Sequence, residues 1–198
     1  MATALRLLLV LLFAGVIPAQ SPLAGALSAI KLHGAEIVKN AKAFLATKPE
    51  EKVKDAAKSL ATVAKSAGDV FTETKATIDE HAASIAKDEL VKDVKWLTRY
   101  EKNMRAEAQG AQSLIDTINE WHTKLDPLLD SCLDTTKEDG VKKTMACLSS
   151  VPGRELLNLA ASVAKVKSAA LAKAEAAKKL RQSLEKPPKP KSNSKSKR

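Results

Sequence analysis

The sequence is poor in the residues from which catalytic and metal sites are built. Its 198 residues include only three histidines and two cysteines, and no two histidines stand at the i, i+4 spacing that gives one helix face two ligands. It contains no glycine-rich phosphate loop and no Gly-x-Ser-x-Gly elbow. No nucleophile is accompanied by a base and an orienting partner. We therefore expect no enzyme, no cofactor and no metal ion.

Glycine and proline are also scarce, at seven and eight residues, and they lie almost entirely at the boundaries between long amphipathic stretches. No stretch has the alternating pattern that is typical of a β-strand. The 33 alanines give the chain a high helix propensity and predict thin seams between closely approaching helices. These features predict an all-α protein.

The longest amphipathic pattern runs from Asp88 to Leu125. One seam position recurs every seven residues, at Leu90, Leu97, Met104, Ala111, Ile118 and Leu125. The second seam position holds Val94, Glu101, Ala108, Ile115 and His122, and the seam is flanked by Tyr100, Leu114 and Trp121. A 3.5-residue repeat keeps one stripe of a helix facing its partners, and a wide stripe suits a bundle of several helices.

Three further long helices are predicted. The first runs from Pro22 to Ala46, with Gly34 as a weak or closely packed point. The second runs from Lys48 to Ala86, after a capping signature at 47–50, and we expect a turn near Lys87, although one continuous rod is the alternative. Asp126-Pro127 is expected to end the third helix, and Pro152-Gly153 to begin the last, which ends near Glu185.

Between the third and last long helices, the sequence predicts an irregular corner. Residues 128–133 and 141–148 read as two short helices around a turn at Asp139-Gly140. A disulfide between Cys132 and Cys147 would close this hairpin, which in the chain-entropy model is worth about 3 kcal/mol. The predicted fold is an elongated antiparallel bundle of about four long amphipathic helices with a disulfide-clipped short-helix corner.

The first 19 residues have the pattern of a secretory signal peptide. Arg6 supplies the positive charge, Leu7 to Phe13 the apolar region, and Ala19 a small residue at the expected cleavage site. An uncleaved anchor is the alternative, but the apolar run from Leu7 to Ile17 falls short of the roughly 20 residues that span a bilayer. We therefore expect a secreted, extracellular protein with a signal peptide (1–19), a helical bundle domain (20–185) and a tail (186–198).

Basic charge is concentrated in the tail. Of the net charge of +10, six positive charges lie after residue 185 with no acidic residue among them, at Lys186, Lys189, Lys191, Lys195, Lys197 and Arg198. A tail of this composition has nothing to bury and is predicted to be disordered. It either keeps the protein soluble or binds a polyanion such as a heparin-like glycan or anionic lipid headgroups. No base-reading motif accompanies the lysines, so specific nucleic-acid binding is not expected.

Three ionisable residues fall on predicted seam positions: His81, Glu101 and His122. Their side chains either lie near helix ends and pair with water and backbone, or face the interior of the bundle. In the second case they would form a pH-sensitive seam that loosens as the imidazoles protonate near pH 6.

Function is expected to be non-enzymatic. Long helix faces would bind a protein partner or a second copy of the chain, and the tail would attach to a polyanion. In composition and architecture, residues 22–185 are similar to the exchangeable apolipoproteins and insect apolipophorins, although the disulfide-clipped corner is a departure from them. That resemblance implies a secreted bundle that opens on lipid, and amphipathic helices with thin seams suit such a role. A membrane-active toxin or antimicrobial factor is the third hypothesis.

Overall fold

The computed structural model describes residues 21–47, 52–134 and 139–185, with residues 133–134 and 139–151 described by their backbone only. Four long helices make up almost all of this: α1 (Pro22–Leu45), α2 (Val53–Lys87), α3 (Val94–Asp134) and α4 (Asp139–Glu185). No strand occurs within these ranges. The predicted all-α bundle of four long helices is confirmed.

Local sequence explains where α1 and α3 begin. Ser21 caps α1, since its Oγ accepts a hydrogen bond from the backbone N–H of Leu23 at 3.3 Å, and Pro22 occupies the first turn. Asp93 caps α3 in the same way, with its Oδ1 2.6 Å from the N–H of Trp96. The predicted turn near Lys87 is confirmed, because residues 88–93 separate α2 from α3.

The predicted capping signature before α2 is wrong in its register. The helix begins at Val53, too far along the chain for Thr47 to cap it. The Thr47 hydroxyl instead donates to the carbonyl oxygen of Ala43 at 2.7 Å, which satisfies an acceptor at the end of α1. Residues 48–51, which carry the rest of the signature, lie outside the described part of the chain.

Two pairs of neighbouring helices run parallel, so the predicted antiparallel arrangement is only half right. Each of α1 and α4 packs against both α2 and α3. In the contacts between α1 and α3, residue numbers increase in the same direction along both helices: Leu23 meets Gly110, Gly34 meets Trp121, and Ala41 meets Cys132. The same holds for α2 and α4: Thr72 with Glu155, and Asp79 with Lys165. The pairs α1/α2 and α3/α4 run antiparallel, so the connection from α2 to α3 crosses the bundle instead of joining neighbours.

The bundle has four helices at one end and three at the other. The first turn of α1 lies against the middle of α3. A Cβ built on Gly110 of α3 would be 3.8 Å from the Leu23 side chain. The part of α3 before Gly110, which includes the buried Leu97 and Met104, therefore lies beyond the first turn of α1. Because α1 has only 24 residues against the 47 of α4, it covers one end of the bundle.

Most predicted seam positions are buried. In α2 every position of one seven-residue repeat is buried: Ala57, Ala64, Phe71, Ile78 and Ile85. In α3 the first seam is buried from Leu97 to Leu125, but Leu90 lies in the loop before the helix. Eleven of the thirty buried apolar residues are alanine, so the described core is thin, as the sequence predicts.

The predicted short-helix corner is wrong, because the two long helices continue through both prolines. Helix α3 runs past Pro127 to Asp134, and α4 begins at Asp139 and runs past Pro152. Pro127 is exposed, so the carbonyl group that loses its helical partner there faces solvent. Leu125 and Leu129 are fully buried on either side of it, and their packing holds the helix together.

The predicted disulfide is not seen. Cys132 is buried in α3, but the side chain of Cys147 lies outside the described residues, and the pairing stays a prediction. The predicted signal peptide (1–19) and the basic tail (186–198) also lie outside the described part of the chain.

Candidate functional site

Ion pairs and hydrogen bonds join α4 to α2 and to α3 at the edges of the helix interfaces, and we call this set of contacts the rim. The carboxylate of Asp79 on α2 accepts from Lys75 at 2.7 Å and from Lys165 on α4 at 2.9 Å. These two lysines hold the pKa of Asp79 at about 2, below its ordinary value of 3.8. The pair therefore ties α2 to α4 at neutral pH.

Replacement of Asp79 by asparagine should destabilise the protein at neutral pH and have no effect near pH 2. The folded-state pKa is depressed, so the stabilisation is present above pH 3.8 and is lost as pH falls from 3.8 towards about 2. Solvent screens this partly exposed pair, so we expect a loss of about 1 kcal/mol or less. Denaturant unfolding at pH 6 and pH 2.5 measures it. Asp69→Asn, on the same helix but without an ion pair in the described structure, is the control. An equal effect of Asp79→Asn at both pH values would contradict the assignment.

A second rim contact joins α3 to α4. Burial alone would raise the pKa of Glu101, but hydrogen bonds from Arg105 at 3.1 Å and from Arg181 at 3.2 Å outweigh it and lower that pKa. The same contact with Glu101 raises the pKa of Arg181, so both groups stay charged. Further along the bundle, Lys167 of α4 donates to Gln112 of α3 at 2.6 Å.

The loop between α2 and α3 is held at Asp88. Its carboxylate accepts a hydrogen bond from the Tyr100 hydroxyl at 2.8 Å, and its carbonyl oxygen accepts one from Lys173 at 2.5 Å. Burial, followed by the contact with Asp88, raises the pKa of Tyr100. The Tyr100 ring stacks on Trp96 with a centroid distance of 4.7 Å. Lys173 thus fastens this loop to α4.

The three residues of the predicted pH-sensitive seam do not meet. Their side chains are 24%, 15% and 26% exposed for His81, Glu101 and His122, so none lies in the core. The His81 ring contacts Glu107 at 2.7 Å, and the His122 ring contacts Asp126 at 3.2 Å. Each imidazole thus has a carboxylate beside it at the edge of its interface. The loosening near pH 6 stays a prediction.

Helix α1 is attached to the bundle differently from the other three. No ion pair joins it to another helix among the residues that the structure describes. The hydrogen bond from Lys124 lowers the pKa of Glu120 on α3, and the charge of Lys31 on α1 adds a smaller effect, although Lys31 and Glu120 form no ion pair. A hydrogen bond joins α1 to α2, in which the Ser59 hydroxyl of α2 donates to the Asn40 amide oxygen of α1 at 3.4 Å. The attachment of α1 is therefore mainly apolar.

Three close packing contacts hold α1 in place. Gly34 lies directly on the Trp121 ring of α3, so close that a Cβ on Gly34 would be 2.7 Å from Cε3. The His33 ring meets the buried Phe71 ring of α2 edge to face, with centroids 6.4 Å apart. The Cys132 thiol faces the carbonyl oxygen of Ala41 at 3.9 Å, and burial raises its pKa to about 11.

The outer face of α4 is the second candidate surface. Between residues 157 and 176 it exposes mostly small and apolar side chains: Leu157, Ala161, Ala164, Ser168, Leu171, Ala172 and Ala176. Leu157 is 49% exposed and Leu171 is 43% exposed. The charged residues exposed along this stretch are Lys165, which pairs with Asp79, and Glu175. We call this surface the α4 outer face.

Sequence reasoning missed both surfaces. The signal for the α4 outer face is the pair Leu157 and Leu171, which stand two heptads apart on the side of the helix opposite the buried positions. The apolar attachment of α1 had a weaker signal, since this helix has four charged residues in 24.

The described residues were also compared with the patterns of membrane-spanning helices and of metal sites. None of the four helices is apolar over a length sufficient to cross a bilayer. No three His, Cys, Asp or Glu side chains within the described ranges gather in a way that could hold a metal ion. In comparisons with known proteins, no family model, no curated protein and no solved structure matches the chain.

Proposed function

We propose that the protein is a secreted, non-enzymatic helical binding protein. It binds through helix faces, and its basic tail (Lys186, Lys189, Lys191, Lys195, Lys197 and Arg198) attaches it to a polyanion outside the cell. The disulfide between Cys132 and Cys147 belongs to this proposal, because two cysteines in a secreted chain are expected to pair.

The observation that carries this proposal is the α4 outer face. Side chains exposed on α3 are mostly charged or polar, as expected of a solvated helix, whereas the α4 outer face exposes two leucines among alanines. Exposed apolar surface of this kind is typical of an interaction site. Alanines between the leucines let a second helix approach closely, and the partner in this proposal is the same face of a second copy of the chain.

Two substitutions test the face. Sedimentation of the mature chain, predicted to begin at Gln20, should show self-association that Leu157→Glu with Leu171→Glu abolishes. Both leucines are about half exposed, so the double variant should fold as the parent chain does. Ala106→Glu with Ser113→Glu adds the same charge to the exposed side of α3 and should leave self-association unchanged. A parent chain that stays monomeric at all concentrations would contradict the assignment.

The tail is tested separately on a heparin column. A chain ending at Lys186 should elute at much lower salt than the full chain, because five of the six tail charges are gone. Equal elution of the two chains would show that the bundle, and not the tail, binds the polyanion.

A second candidate function is lipid binding. The specific observation in its favour is the apolar attachment of α1, together with a core in which many buried positions are alanine. Apolar contacts within a thin core can be exchanged for contacts with lipid at little cost. On this hypothesis the bundle opens on vesicles, and tryptophan near-UV dichroism is lost when it does. A protein-binding bundle keeps that signal on vesicles.

A further inference from the structure

Helix α1 has the charge and the apolar face of a helix that lies on an anionic lipid surface. Its charged residues are three lysines and one glutamate, at 31, 39, 42 and 36, all on its exposed side. Its opposite side is apolar along the whole length and is buried in the bundle, at Leu23, Ala26, Ile30, Ile37, Ala41 and Phe44. Lysines on one side and large apolar residues on the other are the features of interfacial helices.

The remaining three helices are tied to one another by polar side-chain contacts. Ion pairs join Asp79 to Lys165 between α2 and α4, and Glu101 to Arg181 between α3 and α4. A hydrogen bond joins His81 to Glu107 between α2 and α3. Separating these helices leaves charged partners apart, and an apolar lipid phase cannot replace those partners. Separating α1 breaks mainly apolar contacts, which acyl chains can replace. The least costly opening of the described bundle is therefore the release of α1.

The exposed side of α1 also offers a first contact with lipid. Leu32 is the most exposed large apolar residue in the described structure, at 66%, and it lies beside Lys31. A lysine next to an exposed leucine can reach anionic headgroups while the leucine enters the interface. The helix can therefore meet the membrane before its buried side is released.

We propose that α1 alone leaves the bundle and lies on an anionic lipid surface, while α2, α3 and α4 stay packed together. The proposal rests on the second candidate function, lipid binding, and names the segment that carries it. It differs from opening of the whole bundle, in which α3 and α4 would also separate. Trp121 would lose its contact with Gly34 on release, and this provides a local signal.

Two engineered disulfides distinguish these possibilities. Asn40→Cys with Ser59→Cys locks α1 to α2, at side chains whose polar atoms lie 3.4 Å apart. Asp126→Cys with Gly153→Cys locks α3 to α4 and leaves α1 free, at a site where a Cβ on residue 153 would be 3.0 Å from Asp126 Oδ1. Peptide mapping without reduction verifies each bond and the state of Cys132 and Cys147. The four singly substituted chains control for the lost side chains.

The experiment measures the binding of the mature chains to phosphatidylcholine vesicles with and without phosphatidylglycerol. It uses a Trp96→Phe background, so that fluorescence reports on Trp121 alone. The unlocked chain and the α3–α4 lock should bind anionic vesicles equally and show the Trp121 change. The α1–α2 lock should bind at least tenfold more weakly and show no such change.

Four results would overturn the proposal. Equal binding and an equal Trp121 change with α1 locked would show that α1 stays in place, with the lipid function intact. Loss of binding in the α3–α4 lock would show that the whole bundle opens. No binding by the unlocked chain would remove the lipid function itself. Binding through the tail alone would leave the Trp121 emission unchanged in every chain, and this would also count against release of α1.

Discussion

Replacing Phe71 by alanine is expected to lower the free energy of unfolding by about 3–5 kcal/mol. Phe71 is the largest fully buried side chain of the described core, and it lies where α1, through His33, packs on α2. Truncation removes the transfer free energy of the ring and leaves a cavity that helices on two sides cannot easily close. Small domains have a total stability of about 5–15 kcal/mol, so the variant should be close to unfolding. Guanidinium denaturation followed by far-UV dichroism measures the loss.

The control for Phe71 is an apolar residue on the exposed side of α1, outside the interface. Leu32 lies one residue before His33 but points outward and is mostly exposed, so Leu32→Ala should change stability by no more than about 0.5 kcal/mol. Comparable losses for Phe71→Ala and Leu32→Ala would mean that the heptad on α2 faces a different direction from the one described. A large loss for Phe71→Ala alone supports the four-helix end of the bundle.

The burial of Phe71 was predictable from the sequence because the chain's periodicity is strong there. Ala57, Ala64, Phe71, Ile78 and Ile85 stand seven residues apart, and a helix that buries one of them buries them all. The second seam position of α3 is less regular, since Glu101 and His122 occupy it. These polar residues lie at the edge of the interface, where they pair with charged neighbours while the apolar positions beside them are buried.

The prediction that helices end and begin at the prolines is wrong because the packing pattern on both sides outweighs the local propensity of proline. Pro127 lies between the buried Leu125 and Leu129, and the buried Cys132 comes three residues after Leu129. The four-three spacing of the buried positions therefore continues past the proline. Packing on both sides of the proline offsets the lost hydrogen bond. At the second site, Pro152 and Gly153 are buried, and the absent side chain of Gly153 lets α4 approach Asp126 of α3.

The direction of packing and the ion pairs of the rim could not be predicted. Asp79 and Lys165 are 86 residues apart in the chain, and Glu101 and Arg181 are 80 apart. Nothing local specifies which of several surface lysines will face a given carboxylate, because that depends on which helices are neighbours. For this reason the sequence predicted amphipathic helices but not the difference between α1 and the other three.

Gly34→Ala is expected to destabilise the protein by about 1–2 kcal/mol, although alanine is the better helix former. Alanine at a helix interior position gains about 1 kcal/mol over glycine. Here, however, its Cβ would stand 2.7 Å from Cε3 and 3.0 Å from Cδ2 of the rigid Trp121 ring. Overpacking of this kind costs about 1–3 kcal/mol or more, because α1 and α3 must move apart. Thermal and denaturant unfolding of the variant measure the difference.

Gly25→Ala is the matched control, because it makes the same substitution on the same helix. A Cβ at Gly25 would meet nothing within 4 Å, so this variant should gain about 0.5–1 kcal/mol from helix propensity alone. Trp121→Phe, which shortens the ring system, should relieve part of the cost of Gly34→Ala, and a double-mutant cycle measures that coupling. If both alanine variants stabilise the protein equally, then α1 does not pack against Trp121 as described. If the two variants change stability in opposite directions, the close contact between Gly34 and Trp121 holds α1 on α3. In that case the Gly34→Ala variant should also bind anionic vesicles more tightly, because its α1 is easier to release.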